Sequence, residues 1–158
     1  MRTRDEQIAA IRADQRFWRD LAAEVGPARY TEPGPMGEWS FADMAGHLLG
    51  WRERTLGRLD AAGRGEPEPP PPWPPELGDD DIINDWIHAQ HAGRAPEQLV
   101  ADYDASYDRI IAGLESMPDD MLTEVIPGLD APLVDVDFTG HLHEEHVPSV
   151  RAWLDASA

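Results

Sequence analysis

The chain contains no cysteine, and all of its 13 basic residues are arginine, so lysine is absent as well. Without a thiol, the protein cannot form disulfides, thiolate metal sites or iron–sulfur clusters, and it has no cysteine nucleophile. Without a side-chain amine, it cannot form a lysine Schiff base or anchor pyridoxal phosphate. Any thiol chemistry in this protein therefore needs an external thiol.

Positive charge is also scarce. The 158 residues include 31 acidic and 13 basic side chains, for a formal net charge of -18. An average field of this sign repels phosphate backbones and anionic lipids, so neither nucleic acid nor a membrane is expected as a partner. The N-terminal residues are charged where a signal peptide needs an apolar run, and no segment reaches membrane-spanning length. These features predict a single cytoplasmic domain over residues 1–158.

The apolar pattern predicts an all-α protein. Apolar residues recur at three- and four-residue spacings in four main segments, at about residues 5–25, 41–59, 96–117 and 137–155, with a short helical piece near residues 82–87. Ser40 and Asp43 have the spacing of a capping box before the second segment. Residues 63–79 hold nearly half of the 15 prolines and predict an extended connector, from which Trp73 is expected to fold back over the core. The expected architecture is a four-helix bundle with a proline-rich connector between helices 2 and 3.

Histidines on two of these helices are the candidate reactive groups. On a wheel of about 100° per residue, His47 lies at the margin of the apolar face of helix 2, while His146 and His143 lie in or at the edge of the apolar arc of helix 4. His141 and Glu145 fall outside that arc, towards solvent. Three imidazoles that meet at one point make a metal site with an open position, so His47, His143 and His146 are the predicted ligands, with His141 and Glu145 less favoured. In the alternative, His47 is a core histidine hydrogen-bonded to a carbonyl, and His143 and His146 are half-buried surface residues.

Aromatic residues supply candidates for a pocket beside these histidines. Trp51, Trp86 and Tyr103 are predicted to form its apolar wall, and His91 is a weaker candidate, whereas His88 is assigned to the surface. The carboxylates next to the C-terminal histidines can orient a ligand imidazole or act as a base, and otherwise form a solvated helix face.

Three segments together resemble a known family. The stretch WSFADMAGHLLGWRE resembles the second-helix signature of the DinB/YfiT-like superfamily, in particular its ClbS/DfsB branch. NDWIHAQHAGRAPEQLVADYDASYDRIIAGLESMPDDML is similar to the third-helix region of that branch, and HLHEEHVPSVRAWL to its closing helix. The resemblance implies an up-down-down-up bundle that is often dimeric. It also implies a divalent metal held by a histidine of helix 2 and by a pair of ligands four residues apart near the C-terminus.

The C-terminal pair departs from this pattern. His47 matches the ligand of helix 2, but the residue four before His146 is Leu142, which cannot bind a metal. Three alternatives follow: His143 takes the place of the missing ligand, the pair is His141 with Glu145, or the site has been lost.

The resemblance also implies a function, namely a metal-dependent small-molecule enzyme of protective or xenobiotic metabolism. The reaction expected is that of a hydrolase or of a transferase that uses an external low-molecular-weight thiol. Zinc is the expected metal for three imidazoles, and nickel or iron(II) would also accept them. A homodimer is the expected assembly. The alternative is a non-catalytic small-molecule-binding or stress-associated bundle without metal, in which the histidines are dispensable.

Overall fold

The computed structural model describes residues 1–158 and is built mainly from helices. Two short strands, β1 (Pro33–Gly34) and β2 (Gly37–Ser40), pair antiparallel between the first two helices. The helices are α1 (Arg4–Val25), α2 (Phe41–Gly63), α3 (Asp80–His91), α4 (Pro96–Ser116), the single turn α5 (Asp119–Leu122), a π-helical turn (His141–His146) and α6 (Val147–Ala156), with a 3₁₀ turn at Pro27–Arg29. The predicted all-α four-helix bundle, with its connector between the second and third main helices, is confirmed. No helix is long and apolar enough to cross a membrane.

Local sequence signals fix the starts of the first two helices. Thr3 with Glu6 caps α1, and Ser40 with Asp43 caps α2, each pair forming a complete capping box. Gly26 ends α1 at a φ of 81°, a conformation that favours glycine. Ser40 is both the last residue of β2 and the cap of α2. The hairpin therefore sets where α2 begins, and with it the position of His47 along the axis of the bundle.

The main core is a cluster of 29 buried residues drawn mostly from α1, α2 and α4, with further members from the segment that follows α4. At its centre Trp18 of α1 stacks on Phe41 of α2 and meets Tyr103 of α4 edge-on, with ring centroids 5.0 and 4.6 Å apart. Leu142 and Val150, both fully buried, join the C-terminal segment to this cluster. Aromatic contacts of this kind fix the positions of three helices relative to one another.

The proline-rich connector folds back over α2 and α3. Its Trp73 is buried, as the sequence predicts, but in a small separate cluster rather than over the main core. Trp73 is 3% exposed and packs with Ile83 and Ile87 in a small second cluster. Its ring meets that of Trp51 edge-on at 4.8 Å, and the indole of Trp51 donates to Asn84 Oδ1 at 2.8 Å. Connector and α3 together therefore hold Trp51 in place.

The C-terminal helix differs from the regular helix that its apolar spacing predicts. It begins at His141, and its first six residues, His141–His146, form a π-helical turn before α6 continues as an α-helix. Val147 N–H donates to Leu142 O, five residues back. Pro148 explains why the turn is wide, because proline has no N–H to donate to the carbonyl of Glu144, and its ring would collide with that carbonyl in a regular helix.

Candidate metal centre

Three imidazoles meet between α2 and the π turn. His47 Nε2 lies 3.1 Å from His141 Nε2, which lies 3.1 Å from His146 Nε2. All three nitrogens fall within 4.8 Å of one another. His47 and His146 are 3% and 6% exposed, so the cluster is set into the bundle rather than lying on its surface.

The π turn decides which C-terminal histidines reach His47. A hydrogen bond that spans five residues widens the helix, and residues five apart then share a face as residues four apart do in an α-helix. His141 and His146 are five apart, and both point towards α2. The wheel drawn with the α-helical period placed His141 towards solvent. It did so because it assumed a regular α-helix where the structure has a π turn. The signal available in the sequence was Pro148, two residues after His146.

His143, which the sequence grouped with His47 and His146, lies outside the cluster. Its Nε2 is 3.0 Å from Asp14 Oδ1, and its ring packs on Phe17 with centroids 4.7 Å apart. Asp14 Oδ2 also accepts a hydrogen bond from Thr139 Oγ1 at 2.8 Å. His143 therefore ties the π turn to α1, while its neighbours face α2.

Burial keeps the three clustered imidazoles neutral. It lowers the pKa of His47 to about 3, with a further contribution from the two neighbouring histidines. It also lowers the pKa of His146 to about 4, again with help from His141, and the pKa of His141 falls mainly for the same reason. At neutral pH each ring thus has one unprotonated nitrogen, which is the form that binds metal ions.

The arrangement fits a metal ion that prefers nitrogen ligands. Imidazole nitrogens held tetrahedrally about 2.0–2.1 Å from zinc lie about 3.3 Å apart. Two of the three separations are close to this value at 3.1 Å, and the third is no more than 4.8 Å. The remaining ring nitrogen of His47, Nδ1, is buried without a hydrogen-bond partner. Metal-ligating histidines usually donate the N–H of this second nitrogen to an acceptor. His47 lacks that contact, so its ring is oriented by packing and by the contact of Nε2 with His141.

A cavity of about 270 Å³ opens beside the three histidines and is lined also by Trp51, Asn84 and Glu145. Glu145 Oε2 lies 3.4 Å from His141 Nε2 on a largely exposed side chain. A second cavity, of about 300 Å³, shares Trp51 and His141 with the first and extends to Tyr103. The site is thus open to a small molecule from two directions.

Two of the four residues predicted to line the pocket lie elsewhere. Trp86 packs at the edge of the cluster around Trp73. His91 lines a separate cavity with Arg94, and its Nδ1 lies 3.3 Å from Arg94 Nη1. His88 is half-buried, stacked on Trp39 at 4.5 Å, and its Nε2 lies 3.3 Å from Asp43 Oδ1.

Two solved structures share the fold. The crystal structure of an uncharacterised protein from Escherichia coli UTI89 is 16% identical, with a TM-score of 0.80 over 99% of this chain and 95% of that one. The colibactin self-resistance protein ClbS, crystallised in complex with a dsDNA, is 20% identical, with a TM-score of 0.62 over 75% of this chain and 74% of that one. No curated protein sequence matches the chain.

The ClbS complex corrects one expectation. The net charge of -18 predicted that nucleic acid is excluded as a partner. That prediction is wrong, because a protein of the same fold has been crystallised with duplex DNA. A net charge is an average over the whole surface and says nothing about local groups of arginines.

The family follows from the sequence itself. A family model described as the mycothiol maleylpyruvate isomerase N-terminal domain matches residues 11–147, which is most of the chain. This match and the two structures agree with the resemblance found in the three helical segments. The chain belongs to the mycothiol maleylpyruvate isomerase N-terminal domain family, within the DinB/YfiT-like superfamily.

Proposed function

We propose that this protein is a metal-dependent enzyme that joins an external thiol, or water, to an electrophilic small molecule. The observation that carries the proposal is the convergence of the Nε2 atoms of His47, His141 and His146 on one point beside a cavity. The family adds support for the thiol, since its description names an isomerase that uses mycothiol. A cytoplasmic location, a single domain and a homodimer stay predictions from the sequence.

The residues present divide the tasks of such a site. A bound zinc ion would supply a positive charge that lowers the pKa of a thiol or water at its fourth position. The neutral imidazoles of His47, His141 and His146 would hold that ion. Glu145, beside His141 and open to solvent, is placed to accept a proton and pass it to water. Since the chain has no cysteine, no thiol of its own can compete with the external one.

The first experiment measures metal content. Protein purified without chelator or nickel resin is expected to hold about one zinc per chain. Replacing His47, His141 or His146 by alanine is expected to weaken zinc binding by at least ~100-fold, because each change removes one of three protein ligands. His143→Ala is the matched control, because it removes an imidazole of the same π turn that faces Asp14 instead. Because its contact with Asp14 joins the turn to α1, zinc affinity should fall by no more than about 10-fold, far less than in the three histidine variants of the cluster.

Each failure of this experiment has a distinct meaning. If His143→Ala loses zinc while His141→Ala keeps it, the π turn is rotated in solution and the ligands are those favoured by the helix wheel. If the native protein binds no zinc, nickel or iron(II) even on titration, the proposal of a metal-dependent enzyme is refuted. The non-catalytic small-molecule-binding protein then replaces it.

The second experiment tests the thiol. Cobalt(II) substituted for zinc gives a visible spectrum that changes when sulfur enters the coordination sphere. Adding a low-molecular-weight thiol to the cobalt protein is expected to produce such a change, and adding the corresponding alcohol is not. A spectrum indifferent to thiols would leave water as the nucleophile and favour the hydrolase.

A further inference from the structure

The second cavity beside the histidines contains an unusual concentration of positive charge. It lies along α2 and is lined by three of the 13 arginines, Arg52, Arg54 and Arg58, together with His141. Here it is called the arginine cavity. In a chain of net charge -18, three guanidinium groups around a cavity of about 300 Å³ need an explanation.

Arg52 is buried without a carboxylate partner. The residue is 6% exposed, and its guanidinium lies between the rings of Tyr103 and Tyr107, 4.3 and 4.2 Å from their centroids. It donates to Ser106 Oγ at 2.8 Å and to Phe138 O at 3.1 Å, both neutral acceptors. Buried charges are normally paired with an opposite charge, so the cation of Arg52 is left without its usual counter-ion.

The other two arginines share a single carboxylate. Arg58 Nη2 lies 2.7 Å from Glu68 Oε1, and Arg54 Nη2 lies 3.7 Å from the same oxygen. Arg54 Nε is buried and has no hydrogen-bond partner. Glu68 does not line the cavity, and the one acid that does, Asp137, uses Oδ1 to accept from the backbone N–H groups of Thr139 and Gly140. The three guanidinium groups therefore outnumber the nearby carboxylates.

We propose that the arginine cavity binds an oxyanionic group of a small molecule, a carboxylate or a phosphate, with Arg52 and Arg54 as its donors. Guanidinium groups match the planar geometry of such groups and form strong charge-assisted hydrogen bonds with them. The volume is at the lower end of that of small-molecule sites, which suits a compact ligand. The binding needs no metal. Only the orientation of the rest of the ligand towards His141 rests on the proposed function.

The test uses full-length protein treated with chelator, so that an anion cannot bind to a metal. Isothermal titration calorimetry with succinate is expected to show saturable binding that weakens as salt is added, and succinamide, its uncharged analogue, is expected not to bind. Inorganic phosphate, titrated in parallel, identifies which oxyanion the cavity prefers. Arg54→Gln, at a partly exposed position, is expected to weaken binding by about 10-fold or more, the loss of a charge-assisted hydrogen bond.

Arg64→Gln is the matched control. Arg64 follows the last residue of α2, pairs with Glu66 at 2.9 Å on the exposed surface and does not line the cavity. Arg52→Lys keeps the buried charge but loses the planar fork, so it should also weaken binding while the protein still folds.

Two results would overturn the proposal: no saturable binding of succinate or phosphate, or equal affinity in Arg54→Gln and Arg64→Gln. Because the metal has been removed, neither of these results bears on zinc binding by the histidines. Conversely, loss of zinc binding in His47→Ala leaves the arginine cavity untouched.

Discussion

The contact between Asp14 and the π turn provides the sharpest test of how the histidines are positioned. Asp14 accepts from Thr139 Oγ1 at 2.8 Å and contacts His143 Nε2 at 3.0 Å, and thereby joins α1 to the turn that carries His141. Hydrogen bonds to a charged group contribute about 1.5–3 kcal/mol each when buried. The side chain of Asp14 is 28% exposed, which screens the contact and reduces the expected total to about 1–2 kcal/mol.

Asp14→Ala should therefore lower the free energy of unfolding of the metal-free protein by about 1–2 kcal/mol, measured by urea denaturation. It should also weaken zinc binding by about 3–10-fold in a competition assay with a chelating dye. This is less than the loss of an outer contact to a metal ligand causes, because Asp14 contacts His143 and Thr139 rather than a histidine of the cluster. Asp20→Ala, at an exposed position of the same helix, is the control and should change neither quantity. Thr139→Val removes one of the two contacts from the other side and should have a smaller effect of the same sign.

Zinc affinity is the decisive measurement. If Asp14→Ala loses stability but binds zinc within about 2-fold of the native protein, the contact stabilises the bundle without positioning His141. The reasoning would then be refuted, although the trihistidine site itself could stand.

Three further predictions concern packing, pH and the π turn. Gly50→Ala should destabilise the protein by about 1–3 kcal/mol in urea denaturation, because a Cβ would lie 2.4 Å from Ile87 Cγ2, whereas Gly57→Ala, with its nearest neighbour at 3.7 Å, should stabilise it by up to about 1 kcal/mol. An equal effect of both changes would refute this packing argument. In the metal-free protein His47 stays neutral down to a pKa of about 3 while the unfolded chain takes up its proton near pH 6.5, so the stability of the native protein relative to His47→Gln should fall by about 2 kcal/mol between pH 7 and pH 5. A difference independent of pH would contradict it. Deleting the exposed Glu144 together with Pro148→Ala should turn the π turn into an α-helical one with zinc affinity retained within about 10-fold. A complete loss of zinc would show that the five-residue spacing is itself required.

The sequence was most informative where the helices are regular. His47 lies on an ordinary α-helix that starts at a capping box, so a wheel drawn from the sequence placed it on the same side as Met44. It is 3% exposed, however, and therefore lies deeper than the margin that the wheel predicted. Fold class, connector and the burial of Trp73 followed from the same kind of pattern and from the prolines.

The residues that the sequence misplaced depend on irregular geometry or on tertiary contacts. The wheel grouped His143 with His47 and turned His141 towards solvent, and the structure has the two the other way round. The wheel assumes one angle per residue, whereas the π turn changes that angle over His141–His146. Trp86 was predicted to line the pocket because it lies on the apolar face of its helix. In the structure it packs instead against the cluster formed by Trp73 of the connector with Ile83 and Ile87. The sequence did not predict the arginine cavity, because Arg52, Arg54 and Arg58 enter a sequence argument only through the net charge. That they line one cavity becomes visible only in the folded protein.

The wide turn at His141–His146 also bears on how relatives of this protein are recognised. One additional residue between two histidines would normally rotate one of them by about 100° around an α-helix, and a search pattern with a fixed gap would miss such a chain. Here the backbone absorbs the extra residue locally, and both imidazoles still face His47. A pattern that searches for the proposed site should therefore allow its two C-terminal histidines to be four or five positions apart, particularly where a proline follows.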